Sequence, residues 1–374
     1  MLLASDCDIN EVDRFRRTAL YVACLLGKKE VVNVLLKNNA DHSLCDENGQ
    51  SPLLVASREG YDSIVKALLQ NHADINQCDV KGNSPLLVAS LGSNLSIVQT
   101  LSNNMTDFSK VNNLGQTPVF VASMKGRENV VKYLLSVHSE YISKPDNEDR
   151  SPLFIACKEG YPEVVKILLS NKADVSQLDW NKRSPLLIAS AEEYEDIVIM
   201  LIKNNAKINQ CDEEGRTPLF IASDKGRTRT AKILVNSGAD LNATDHRKCS
   251  PLYAACRRGF LDTVKLLNEN RASITQCNKW NSSPLFAACR QGYLDIVKYL
   301  VENGSNISYP DYSGTTPLLI ASENGHTEIV KFLIRSGAEI DQSDQRKKSP
   351  LHASAAGGHT AIVKVPKLKE LLKM

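Results

Sequence analysis

The stretch TPLLIASENGHTEIVKFLIRSGAEIDQSDQRKKS, residues 316–349, contains the plan of the whole chain. Thr316 supplies a hydroxyl N-cap, and Pro317 follows at the first helical position, where its missing N–H would have had no partner anyway. A helix starts there and ends early, because Gly325 stands where the chain can leave in a left-handed conformation at least cost. Leu318, Ile320 and Ala321 give it one narrow apolar face. A second helix follows, with Ile329, Val330, Leu333 and Ile334 as a broad apolar stripe opposite Lys331 and Arg335, and it stops at Gly337. Residues 338–348 hold no helical period and read as an extended loop or open hairpin leading to the next cap at Ser349.

The same pattern recurs. A Ser/Thr-Pro-apolar-apolar-x-Ala hexad begins at Ser51, Ser84, Thr117, Ser151, Ser184, Thr217, Ser250, Ser283, Thr316 and Ser349, and Thr18 opens a version with Ala19 in place of proline. Successive starts lie 33 residues apart, with one interval of 34 after Thr117. A fixed period of this length predicts a solenoid. Two short helices and a hairpin cannot bury both apolar faces alone, so each unit needs a neighbour. The expected fold is an all-α repeat solenoid. Residues 18–363 would form a single elongated array, on the order of 100 Å long if helices pack about 8–10 Å apart. Residues 1–17 read as the end of a preceding partial repeat, and residues 364–374 as a divergent tail in which Pro366 breaks the last helix. Neither end resembles a polar cap, which predicts a piece of a longer polypeptide; the alternative is that the ends fold back as improvised caps.

The Thr-Pro-Leu start at Thr316, the Gly-His pairs Gly325-His326 and Gly358-His359, the run Ile329 to Leu333 and the Gly-Ala-Asp-Leu-Asn close at Gly238 to Asn242 resemble the ankyrin repeat, here about eleven copies covering nearly the whole chain. The resemblance implies a left-handed superhelix of stacked helix-turn-helix units, with first helices and hairpin tips lining a concave face that holds partners, and no catalytic machinery in the fold itself. There are departures. The family's His after Pro-Leu survives only as His352; Leu54, Leu87, Phe120, Phe154, Leu187, Phe220, Tyr253, Phe286 and Leu319 stand in its place, which predicts apolar packing instead of inter-repeat hydrogen bonds. The glycine ending the first helix is Ser93 in the third unit and Glu193 in the sixth, so those helix ends are either strained or reshaped. Residues 101–113, with Ser102 at an apolar position and no pattern from Met105 to Lys110, predict the softest interface, and the insertion around residues 136–141 an irregular one.

The 374 residues include 45 Lys plus Arg against 43 Asp plus Glu, a net charge of +2 that excludes wholesale electrostatic capture of nucleic acid or membrane. There is no apolar run of about 18 residues and no signal-peptide pattern, so membrane insertion is not expected and the default address is intracellular: cytoplasmic, with the nucleus as the alternative. Eight of ten cysteines occupy two repeat positions. Cys24, Cys157, Cys256 and Cys289 follow the cap by six residues; Cys45, Cys78, Cys211 and Cys277 precede it by six. With no Cys-x-x-Cys, they read as structural thiols, not as metal ligands or disulfides. Cys249 is expected to be exposed beside Arg247 and Lys248, a setting that lowers thiol pKa, and reads as an inert surface thiol. The seven histidines show no paired spacing, and no catalytic signature is present. No catalytic residue, cofactor or metal is therefore assigned.

What the units do not repeat is the functional lead. Both tryptophans, Trp180 and Trp280, fall near hairpin tips, and units eight and nine add Arg247, Lys248, Arg257, Arg258, Lys279 and Arg290, with Tyr312 on the next tip. Residues 245–298 hold nine Lys/Arg against four Asp/Glu, whereas residues 191–214 hold seven acidic residues against two lysines. Aromatic and Arg side chains are the types that anchor interfaces. The sequence therefore predicts a non-catalytic protein–protein interaction scaffold, an adaptor in signalling, whose partner presents an acidic stretch to Arg257, Arg258 and Arg290. A structural or oligomerisation segment of a larger signalling or membrane-associated protein, with end-to-end self-association, is the alternative. Nucleic-acid binding through repeats eight and nine is a weaker third reading.

Overall fold

The computed structural model describes residues 7–104 and 106–365. The expectations for Met1–Asp6, for Met105 and for the helix break at Pro366 and the tail after it lie outside the described residues. Among the described residues there are eleven pairs of α-helices, one 3-10 turn and no strand, the nearest approach to one being a single bridge between Val12 and Thr18. No helix among them is long and apolar enough to cross a membrane. The chain forms two compact units, one up to Trp180 and one from Asn181 onward.

Every first helix starts as its sequence dictates. In the N-terminal unit these are Ala19–Leu25, Pro52–Glu59, Pro85–Leu91, Pro118–Met124 and Pro152–Glu159. In the C-terminal unit they are Pro185–Glu192, Pro218–Asp224, Pro251–Arg258, Pro284–Gln291, Pro317–Glu323 and Pro350–Ala356. The residue before each helix is extended, and its hydroxyl accepts the third backbone N–H of the helix, as when Leu54 N–H donates to Ser51 Oγ at 3.2 Å. Each such cap is worth about 1 kcal/mol. The second helices have no side-chain cap and are held by burial of their stripes, for example Ile329, Val330, Leu333 and Ile334 in Thr327–Arg335.

The residues replacing the family histidine are all buried, and Phe120 and Leu54 are fully so. In the N-terminal unit Leu87, Phe120, Val121 and Ile155 form one apolar cluster across consecutive repeats; in the C-terminal unit Leu187, Phe220 and Tyr253 do the same with Ala254 and Ala287. Apolar packing does take over. The surviving His352 bonds only its own cap, with Nδ1 2.8 Å from Ser349 Oγ.

The two missing glycines are resolved differently. Glu193 takes the left-handed conformation itself, at φ +68°, and its carboxylate meets Arg227 at 3.0 Å. In the third repeat the helix instead ends at Leu91, and Gly92 is extended. The patternless segment after Ser102 has two local anchors. Thr106 Oγ1 donates to the Leu101 carbonyl at 2.7 Å, and Phe108 is buried with its ring 3.9 Å from that of His138. The one-residue insertion lengthens the second helix to Glu128–Val137 and adds the 3-10 turn Ser139–Tyr141.

Candidate functional site

The hairpin tips are built on a residue that the repeat alignment contains but the motif reading passed over. Five residues before each cap stands Asp or Asn, and its Oδ1 accepts the backbone N–H groups two and four residues on. Asp146 takes those of Glu148 and Arg150, Asn278 those of Trp280 and Ser282, and Asp311 those of Ser313 and Thr315, all at 2.9–3.0 Å. Each tip then donates a backbone N–H to the tip before it. Lys279 N–H reaches the Arg247 carbonyl at 2.8 Å, and Tyr312 N–H reaches the Trp280 carbonyl at 3.0 Å. Side chains at the tips of the C-terminal unit are thus held in a fixed row.

Between this row and the first helices runs an open groove of about 740 Å³. Arg247, Trp280 and Tyr312 line it from the tips, and Arg257, Arg290 and Glu323 from the helices, with Tyr253, Phe286 and Ile320 as a floor. Five of the nine residues singled out from sequence therefore share one surface. Trp280 is 48% exposed and Tyr312 69%. Lys279 Nζ lies 4.5 Å from the centre of the Trp280 ring, a cation–π contact. Arg247 and Arg290 make no side-chain hydrogen bond or ion pair among the described residues. The floor is fixed by Tyr253, whose hydroxyl accepts from Asn278 Nδ2 at 2.9 Å; burial, then the neighbouring Cys249, push its pKa up to about 12.

The remaining four fall elsewhere. Trp180 is 59% exposed on a tip of the N-terminal unit, its backbone N–H bonded to the Glu148 carbonyl. Lys248 is exposed in the left-handed position of its hairpin and lines no groove with the others. Lys279 covers Trp280 from outside. Arg258 faces a smaller adjoining groove, whose walls include Glu214, Asp224 and Tyr293.

The view of Arg257 and Arg258 as free cations needs correcting. Asp224, one repeat earlier, accepts from Arg257 at 2.8 Å and from Arg258 at 3.1 and 3.2 Å. Burial alone would raise the Asp224 carboxyl, but the two guanidinia hold it below its ordinary value. The acidic band is likewise largely occupied. Glu192 meets Lys225, Glu193 meets Arg227, and Asp212 and Glu214 share Arg216 at 2.8 and 3.1 Å. Cys249 is also corrected: it is buried, not exposed, and burial followed by the Asp245 carboxylate push its thiol up to about 12. Several other repeats place an arginine there that folds back onto the hairpin carboxylate, as Arg17 does on Asp13, Arg150 on Asp146 and Arg216 Nε on Asp212 at 2.8 Å. Cys249 packs in the apolar cluster with Tyr253. Cys24, Cys157, Cys256 and Cys289 are buried, with thiols raised by desolvation. Among the described residues no group of three or more His, Cys, Asp or Glu could hold a metal ion.

Helix pairs repeated in register around hairpins, with a row of unlike side chains along one side, define the class of repeat scaffolds that act by binding. The chain belongs to the ankyrin-repeat family. Family models for ankyrin repeats match residues 1–79, 86–179 and 171–245 (the model of three copies), 247–279 (the single repeat) and 285–334 (the model of many copies). No curated protein sequence gives a significant match. Members of this family are generally protein–protein interaction modules and typically non-catalytic, so the chain takes protein partners.

Proposed function

We propose that the chain is a non-catalytic scaffold whose partner protein seats an acidic segment in the groove between the hairpin tips and first helices of repeats eight to ten. The observation that supports this reading is the pair Arg247 and Arg290. Both guanidinia line the groove without a partner among the described residues, and exposed Trp280 lines it with them. An unpaired guanidinium beside an aromatic ring combines the two side-chain types that most often anchor interfaces. Asp224 already satisfies Arg257 and Arg258, so their part is secondary.

The test is a quantitative affinity capture from cell lysate with the full chain and with its R247E/R290E/W280A variant, after circular dichroism shows both equally folded. Loss of a defined set of proteins is expected for the variant. An identical set from both chains would remove this groove from consideration.

A further inference from the structure

The repeat register gives the groove a finer pattern. Seven residues after the cap, the first helices of repeats seven to ten carry Asp224, Arg257, Arg290 and Glu323; three residues before the cap, the tips carry Glu214, Arg247, Trp280 and Ser313. All eight line the two adjoining grooves. Cations therefore fill a window of two layers, and carboxylates close it at both ends. Inside the window Asp224 engages Arg257, which leaves Arg247 on the tip wall of layer eight and Arg290 on the helix wall of layer nine.

We infer that the groove reads an extended peptide with two acidic residues three positions apart and an apolar residue between them. This deepens the function proposed above and rests on it. Layers of packed helices are about 8–10 Å apart, and an extended chain rises about 3.3 Å per residue, so one layer corresponds to three residues. Side chains of an extended chain alternate in direction, so an odd spacing sends the two carboxylates to opposite walls, where Arg247 and Arg290 stand. Spacings of two or four would send both to one wall. The residue two positions from the acid on Arg247 faces the tip wall in layer nine, against Trp280. Beyond the window a longer acidic run meets no free cation among the residues lining the two grooves: Glu214 already pairs with Arg216 on one side, and Glu323 with Lys348 on the other, where Asp311 also lines the groove.

The probes are fluorescein-labelled decapeptides carrying Glu-Ser-Leu-Glu or its reverse order Glu-Leu-Ser-Glu in a Gly/Ser background, with companions in which the glutamates are two, four or seven apart. Binding to the full chain is read by fluorescence anisotropy at low salt. One of the two orders is expected to bind about tenfold more tightly than every other spacing, and a third glutamate three residues further on should not strengthen it. R290E should abolish binding of the Glu/Glu peptide and recover it with Lys at one of the two positions only; R247E should recover it with Lys at the other. Equal affinity for all spacings, tightest binding at seven, or tighter binding of the three-glutamate peptide would overturn the spacing rule. If the full chain binds every spacing alike and W280A loses them all, the groove is still the partner site and only the rule fails. If no peptide binds the full chain, the rule fails; the proposed function fails with it only where the triple variant also retains its captured proteins.

Discussion

Asp224 shows how much one residue's partners change the meaning of its neighbours. Arg257 and Arg258 read as a free basic pair because sequence adjacency hides a carboxylate 33 residues earlier, which the stack brings to within 2.8 Å. The repeat alignment contained that information, since Asp224 and Arg257 occupy the same register position in consecutive units. Because the folded carboxyl is depressed, its contribution to stability is present above the unfolded value near 3.8 and is lost as pH falls through the lower folded value. Asp224→Asn should therefore cost about 0.5–1 kcal/mol at pH 7 in urea denaturation, with the gap from the parent chain closing progressively below pH 4. A gap that is constant down to pH 2 would mean that packing, not charge, is what the Asn disturbs. Cys249 makes the opposite lesson, a residue whose place beside two basic side chains suggested exposure while its register position buried it. With its thiol pushed up to about 12, timed iodoacetamide labelling of the native chain at pH 8 should modify exposed Cys7 well before Cys249, Cys157, Cys256 or Cys289.

At the scale of the element, the helices were legible and the hairpins only in outline. Hydroxyl caps, N1 prolines and the spacing of apolar residues specify every first helix, because those signals act within one turn of chain. The hairpin has no such periodicity. Its conformation is set by one Asp or Asn accepting two backbone N–H groups, and a single polar residue in a polar loop does not stand out until eleven copies are aligned. Asp146 is a suitable place to measure that dependence: it is buried, it takes the N–H groups of Glu148 and Arg150 at 3.0 Å, and its other oxygen takes Arg150 Nε at 2.9 Å. Asp146→Ala should destabilise the chain by about 2–3 kcal/mol, since two half-buried backbone donors and the Arg150 guanidinium lose their acceptor together. Asp146→Asn should cost no more than about half of that, because Asn112 and Asn278 hold their own hairpins by the same Oδ1 contacts. The strained helix end at Glu193 predicts the reverse sign. Glu193→Gly relieves a side chain at φ +68° and gives up a half-exposed pair with Arg227, so a net gain of up to about 0.5 kcal/mol is expected by thermal denaturation.

For the whole molecule, the period alone announced a stack, whereas the surface it presents depended on which charges neighbouring layers neutralise, and that is decided only once the layers are superposed. The same layering governs how stability is distributed. Within each of the two units, the principal helix contacts join a first helix to the first helix of the next repeat and to its own second helix, and a second helix to the next second helix. Interfaces of this kind make stability a sum of local terms with nearest-neighbour coupling. Phe120 is fully buried within a cluster that draws Leu87 from the repeat before it and Ile155 from the repeat after. Phe120→Ala should cost about 3–5 kcal/mol locally. In native-state hydrogen exchange, amides of Pro85–Leu91, Pro118–Met124 and Pro152–Glu159 should then exchange faster by two orders of magnitude or more, while those of Pro284–Gln291 and Pro317–Glu323, beside the groove, keep the rates of the parent chain. Uniform acceleration along the chain would instead show that the eleven repeats open as one cooperative body. In that case a substitution anywhere would loosen the groove, and comparing partner capture between variants would require matching their global stability first.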